Sequence, residues 1–473
     1  MTQRGRVDDL VVVVPGILGS RLADADGHEV WGLSGKALLR GLRTFGGSVR
    51  GLRLGRDLGD AHPGDGVSPV GLMRDLHALP GVWMPVDGYS GLLDWLERNF
   101  TLRRRVPGAE RAAAPANLIG FAYDWRLSCR YNAARLAERV AEELERWRAS
   151  RAGRHDAKVI FLCHSMGGLV ARSYVEQCGG AEVTRRVITL GTPYRGSLDA
   201  LVHLVDGLRY GIGPVGLDLT AFARSLPSLH QLTPDYACLT TAGGTPLRYA
   251  REVAGLPGVD EALLRDAGQF HAELRASQAG ARHKVEYVPV GGVLQPTPTT
   301  AETGGDVLRA VLTIGGADEG GDGRVPRLSS APVGAGRHAF TPWEKHGSLQ
   351  NNRAVRQALY GWLTAELPVH RDPRGEDVPL AVDAPELLTE GDVYEIRATV
   401  PPDVPGHDRV ALFVGVADGP VRTMTNRGGG QYTARITGLP AGAHRVRVGS
   451  RGSAHAVMTA LVLVLERSGD DGT

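Results

Sequence analysis

"VIFLCHSMGGLVARSYVEQ", residues 159–177, is the stretch on which the reading of this chain turns. Its first five residues form a short apolar, β-rich run. Two glycines follow, and then apolar residues at helical spacing. Ser165 stands at the junction, at the C-terminal end of a predicted strand and the N-terminus of a predicted helix, where partly positive backbone N–H groups gather. Such a turn needs small residues two before and two after the serine, because neighbouring backbones approach closely. Gly167 fills the second position, and Cys163, small enough to substitute, fills the first in place of the usual glycine. Ser165 is therefore a candidate nucleophile. A hydroxyl becomes one only with a base to take its proton, an acid to orient the base, and N–H donors for the oxyanion.

In doubly wound hydrolases those partners follow in the order serine, acid, histidine. "GGDGRVP" (320–326) sets Asp322 on a tight loop, and "WEKHGSLQNNRAV" (343–355) sets His346 just ahead of a final helix. Asp124, Asp318 and His338 compete for these roles, and Asp318 exchanges readily with Asp322 at this level. The oxyanion donors are expected to be the Met166 amide, directly after the nucleophile, and the Ile17 amide in "VVVVPGILGSRL" (11–22), where Pro15 and Gly16 turn the chain. His164 reads as a structural elbow residue, its side chain directed away from Ser165. Thr192 and Pro193 read as pocket wall, and Asp124 with Arg126 in "YDWR" as a local charge pair.

Around this stretch, strand-like runs at 9–16, 117–124, 158–163, 185–191 and 284–292 alternate with helical patterns, among them "YNAARLAERVAEELERWRA" (131–149). Near-continuous apolar strands suit a parallel sheet covered on both faces. The expected class is α/β, a doubly wound, mostly parallel sheet. Two insertions, about 30–100 and 197–280, are placed as cap or lid. The first includes Gly-rich loops and "YSGLLDWLERNF", the second holds short helical pieces such as "LPSLHQLTP", and "LVHLVDGLRYGIGPVGL" (201–217) gathers Leu204, Val205, Leu208, Tyr210 and Ile212 on one side, a buried cap helix or a lipid-touching lid.

Beyond residue 366 the texture changes. The division expected is a catalytic domain over 1–366, a Pro- and charge-rich linker over 367–378, and an Ig-like antiparallel β-sandwich over 379–473 with a frayed tail. The sandwich could brace the catalytic domain or bind a protein partner. Removing residues 377–473 is expected to leave the catalytic constellation whole.

Composition limits the alternatives. The apolar fraction of 42% and charged fraction of 22% are those of an ordinary globular protein, and a net charge of +2 offers no basis for nucleic-acid binding. Only four of the 54 basic residues are lysines, which fits a coding bias better than a phosphate-binding surface. Cys129, Cys163, Cys178 and Cys238 lack metal-ligand spacing and are sparse for a disulfide framework. No metal or organic cofactor is implied. Two aspartates directly before the first apolar run argue against a signal peptide, and no run approaches the ~20 apolar residues of a spanning helix. A soluble, cytoplasmic protein is the expectation, with peripheral membrane contact still open.

Taken together, "VVVVPGILGSRL", "YDWRLS" (123–128), "CHSMGGLVAR", "LGTPYRGS" (190–197), "SLPSLHQLTP" (225–234), "GDGRVP" and His346 resemble, in this order, the lecithin:cholesterol acyltransferase-like proteins, a family that includes phospholipid:diacylglycerol acyltransferases and the lysosomal phospholipase A2 type. The resemblance spans roughly residues 8–362. It implies an α/β-hydrolase fold with Ser165, Asp322 and His346 as nucleophile, acid and base, Ile17 and Met166 as oxyanion donors, and a lipid acyl ester as substrate. The chain departs from the pattern at Cys163, in the tyrosine of "GTPYRGS", and in lacking the cysteine pair of the secreted members' membrane-binding insertion. A small-ester or amide hydrolase, and a non-catalytic interaction protein on a hydrolase scaffold, are the rival classes.

Overall fold

The computed structural model describes residues 4–32, 51–55, 58–74, 77–79, 83–105, 115–150, 154–210, 217–241, 246–280, 285–304, 307–333, 338–364, 378–416, 419–450 and 457–467. Its centre is a five-stranded parallel sheet of β1 (Leu10–Val14), β2 (Leu118–Gly120), β3 (Val159–His164), β4 (Thr184–Leu190) and β5 (Glu286–Val290), in the order β5-β4-β3-β1-β2. Every residue of β1 and β3 is buried, so the sequence LVVVV needs no polar alternation. The period of two is present all the same. Leu10, Val12 and Val14 enter one core with Phe161 and Cys163, while Val11 and Val13 enter a second with Ile160, Leu162 and Ile188.

Helices cover both faces. On the first lie α2 (Cys129–Ala149), α3 (Gly167–Gln177) and α5 (Glu261–Gly280), through Leu136, Val140, Leu169, Val170, Phe270 and Leu274. On the second lie α1 (Ser90–Asn99) and α6 (Arg353–Thr364), through Leu92, Leu96, Val355 and Leu359. The Ser128 hydroxyl accepts from the Tyr131 amide and fixes the start of α2. β1 lies between β2 and β3, so the strand order reverses there. The crevice outside the carboxyl ends of β1 and β3 is thus the topological switch point of the sheet. This is an α/β-hydrolase fold.

Two boundaries expected from sequence move. Helix α1 belongs to the layer under the sheet and α5 to the layer above it, so neither is part of a cap. Among the described residues, two three-stranded sheets accompany the central one. Ser20–Ala23, Glu29–Trp31 and Ser68–Leu72 form one sheet, and Leu239–Thr241, Thr300–Gly304 and Val307–Val311 another. Helix α4 (Leu198–Val205) carries buried Leu204 and Val205, with Leu208 buried just beyond it; Ile212 lies outside the described residues.

The C-terminal part is a two-sheet sandwich. Its strands are β6 (Ala381–Asp383), β7 (Leu387–Thr389), β8 (Tyr394–Thr399), β9 (Leu412–Val416), β10 (Arg422–Thr423), β11 (Thr425–Gly428), β12 (Gln431–Ile436), β13 (Gly442–Ser450) and β14 (Val457–Leu465). The sheets run β6-β8-β12-β11 and β7-β14-β13-β9-β10, with Ile396, Val414, Val446 and Val462 among the residues between them. One pairing departs from the antiparallel expectation, since β7 runs parallel to β14. All but the last residue of the expected linker, and the expected frayed tail from 468 on, lie outside the described residues.

Candidate active site

Ser165 follows the last residue of β3 and takes φ +52°, a left-handed conformation rare for any residue but glycine. Its amide donates to Leu190 O (2.9 Å), and the Thr192 hydroxyl donates to its carbonyl (2.8 Å), so both flanks of the turn are tied to the end of β4. A Cβ at position 167 would lie 2.4 Å from Pro15 O and 2.5 Å from Val14 O, which explains the glycine there. Cys163, by contrast, faces the core with no exposure, and burial pushes its thiol well above the usual range, so it is an uncharged filler of the strand.

The turn meets two loops. His346 Nε2 lies 2.9 Å from Ser165 Oγ, and His346 Nδ1 lies 2.7 Å from Asp322 Oδ2. A carboxylate only accepts, so Nδ1 carries the proton and Nε2 is left to accept from the serine hydroxyl. Asp322 is fully buried. Its other oxygen accepts from the Val325 amide (2.7 Å) and the Arg324 amide (3.0 Å), and its carbonyl accepts from the His346 amide (2.9 Å). Gly191, at φ +61°, leaves room for the pair, since a Cβ there would sit 2.9 Å from His346 Nδ1.

The competitors lie elsewhere. Asp318 caps the Gly320 amide on an exposed hairpin, His338 bonds to the Ser330 hydroxyl, and Asp124 is paired with the buried Arg126.

Ile17 and Met166 follow β1 and Ser165 respectively, beyond the carboxyl ends of the two strands that flank the switch point. Neither amide donates in any turn, loop or cap hydrogen bond among the described residues. Met166 also opens α3, whose N-terminal N–H groups add positive potential beside the serine. The site is tightly covered, with Ser165 7% and His346 8% exposed.

One element escaped the sequence reading. His164 was expected to turn its side chain away from Ser165, and it does so by reaching the base. Its ring lies 5.0 Å from that of His346 and bonds to the His346 carbonyl through Nε2 (2.9 Å). A carbonyl only accepts, so Nε2 is the protonated nitrogen and Nδ1 accepts from the Tyr89 hydroxyl (2.9 Å). The Tyr89 oxygen accepts in turn from the Gly16 amide (2.9 Å). Burial pushes the Tyr89 phenol well above its usual range, which keeps the donor in place. A directed chain thus joins the loop after β1 to the histidine loop. Its only sequence trace is the polar His164 in an otherwise apolar strand.

Among the described residues, Asp24, Asp26 and His28 could bring three ligand atoms together, but the group lies on the surface hairpin and apart from this crevice.

Comparison with known proteins agrees with the motif reading over part of the chain. Residues 111–243, which contain β2, α2, β3, the Ser165 turn and β4, match the family model described as Lecithin:cholesterol acyltransferase. No curated protein sequence matches the chain. Among solved structures, the mature form of Bacillus licheniformis lipase BlEst2 aligns over 77% of this chain and 95% of its own, with 13% identity and a TM-score of 0.37. Its propeptide form aligns over 96% and 73%, with 12% identity and a TM-score of 0.34.

Proposed function

We propose that this chain is a serine-dependent acyl-ester enzyme acting on a lipid substrate, as a phospholipase or lipase, or as an acyltransferase. The observation that carries the reading is the unbroken chain from Ser165 Oγ through His346 to Asp322, with links of 2.9 and 2.7 Å, built on a serine held at positive φ. The matched family segment directs it toward lipid acyl donors.

Ser165 Oγ attacks the ester carbonyl while His346 Nε2 takes its proton. Asp322 holds the imidazole in the reactive tautomer and stabilises the imidazolium. The oxyanion that forms is held by the Ile17 and Met166 amides, either of which contributes roughly 10²–10³ in rate where it has been removed in comparable sites. His346 then returns the proton to the leaving alkoxide. The acyl-serine is resolved by water in a hydrolase, or by a second alcohol in a transferase, with His346 again as base. His346 thus relays two protons, the first from Ser165 to the leaving alkoxide and the second from the water or acceptor alcohol to Ser165 Oγ, which restores the free serine. A cytoplasmic setting with peripheral contact to a lipid surface fits this reading; among the described residues no helix is long and apolar enough to cross a membrane.

A smaller soluble ester is the second reading, favoured by the low exposure of Ser165 and His346. Product analysis by mass spectrometry separates the two. The chain and its Ser165→Ala variant are incubated with phospholipid liposomes containing a long-chain alcohol, and separately with a short-chain ester. Lysophospholipid released by the wild type and not by the variant supports the lipid enzyme, and the ratio of free fatty acid to new ester distinguishes hydrolase from transferase. Serine-dependent cleavage of the short ester alone supports the second reading. Equal products from wild type and variant would sink both.

A further inference from the structure

The loops carrying Asp322 and His346 do not stand on the hydrolase core alone. Two residues after Asp322, the Arg324 guanidinium pairs with both oxygens of Asp199 at the start of α4 (3.0 Å each) and with Glu386 of the sandwich. Two residues before His346, the Glu344 carboxylate is 1% exposed. One of its oxygens accepts from the Lys345 amide and from the Thr459 amide of β14, each at 3.0 Å, and the other accepts from Asn352 (3.1 Å). The Thr459 amide lies on the edge of β14 away from the β13 ladder, so Glu344 caps a strand edge.

Two further links converge on the same loops. Gln295 is fully buried. Its amide donates to Gly321 O (3.1 Å), while its side chain donates to Leu380 O (3.1 Å) and accepts from the Val382 amide (3.2 Å), joining the acid loop to β6. Asp87, whose amide donates to Gly347 O (2.9 Å), pairs with Arg445 of β13 through Nε at 2.7 Å.

Surface ion pairs alone contribute little. Here, however, Glu344, Asp87 and Gln295 are buried, and each of the four residues Arg324, Glu344, Gln295 and Asp87 ties a position within two residues of Asp322 or His346 to the sandwich. We infer that the C-terminal sandwich is a positioning element of the active site, which holds the Asp322 and His346 loops in register through Arg324 and Glu344. The inference rests on the acyl-ester reading for its kinetic consequence. It gives the sandwich a defined role and runs against the expectation that residues 377–473 are dispensable.

The test uses the full-length chain and three variants, Glu344→Ala, Glu344→Gln and Glu386→Gln. The last removes an anchor located in the sandwich itself. Each is checked for cooperative melting, for kcat and KM on a short-chain ester, for labelling of Ser165 by a fluorophosphonate probe, and for the low-field proton resonance of His346 Nδ1–H against Asp322. Misplacing a catalytic group by about 1 Å costs up to ~10²-fold, so kcat in Glu344→Ala should fall by roughly 10–100-fold with KM little changed. Glu344→Gln keeps an oxygen for the Thr459 amide and should recover most of the loss. Glu386→Gln should show a smaller fall in kcat, and the resonance should shift or broaden in step with kcat across the set. Folded Glu344→Ala and Glu386→Gln proteins with wild-type kcat and an unmoved resonance would overturn the inference; Glu386→Gln alone decides it if Glu344→Ala does not fold. A wild-type chain whose Ser165 stays unlabelled overturns the serine-enzyme reading instead, and the resonance still decides the clamp.

Discussion

At the scale of single residues the site is held by hydrogen bonds whose direction chemistry fixes. Ser165 at φ +52° costs on the order of 1–3 kcal/mol in an ordinary chain, and such strain persists only where the surroundings over-determine it. Here the Leu190 carbonyl and the Thr192 hydroxyl do so. Tyr89 serves two partners at once, and Tyr89→Phe would strand the buried Gly16 amide and His164 Nδ1. That variant should lose about 1–3 kcal/mol of stability for each group left unpaired, read from urea unfolding, and its kcat on a short-chain ester should fall as the loop after β1 loosens. Unchanged unfolding would show that water replaces the phenol. Motif order singled out Ser165, Asp322 and His346, and the structure brings the three together. Asp318, four residues from Asp322 on a glycine-rich turn, remained an exchangeable competitor by spacing alone, because the role falls to the carboxylate that the loop buries against the imidazole.

Elements were legible where their chemistry is one-sided. The β1, β3 and β4 runs stand out because strands buried on both faces must be apolar throughout. The segments that form α1 and α5 were placed inside the inserted stretches, because an apolar pattern along a segment shows that it has a buried face and not which surface that face is buried on. Helix α6 makes the point quantitatively. Leu359 is fully buried against the second core, far along the chain from the strands it covers. Leu359→Ala should cost about 2–5 kcal/mol in chemical denaturation, the range of buried leucine truncations, while leaving the ester KM of the folded fraction unchanged. A loss well below 1 kcal/mol would mean that α6 is a loosely held terminal helix.

At the scale of the whole molecule, the hydrolase part meets the sandwich through charged groups, of which Glu344 and Asp87 are buried. Burial raises the Glu344 carboxyl to about 7, against the opposing effect of the Asn352, Thr459 and Lys345 donors, with Asp87 adding to the rise. The charged groups around it are Lys345 on its own loop, Asp87 on the segment before α1, and Arg445 on β13 beyond Asp87. A carboxyl whose folded pKa exceeds its unfolded value contributes stability below the unfolded value, near 4.5, and loses it as pH rises through about 7. At ~1.4 kcal/mol per pKa unit the window spans roughly 3 kcal/mol. The difference in unfolding free energy between wild type and Glu344→Gln should therefore shift in favour of the variant between about pH 4.5 and 7, measured by urea titration at fixed ionic strength. A pH-independent difference would mean that Glu344 titrates as an ordinary carboxyl.

By itself the sequence determined the class of the fold, the turn at Ser165, the order of its partners and the change of texture beyond residue 366. All of these are local properties: apolar runs, small residues at a close approach, turn glycines and alternating strands. Tertiary structure alone decided which carboxylate meets His346, that His164 and Tyr89 link the loop after β1 to the histidine loop, and that the sandwich grips the acid and base loops through Glu344, Arg324, Gln295 and Asp87. Each of those contacts joins residues far apart along the chain or chooses between near neighbours by burial. A buried polar group records in the sequence that it needs a partner, and only the packing of distant segments records which partner it has.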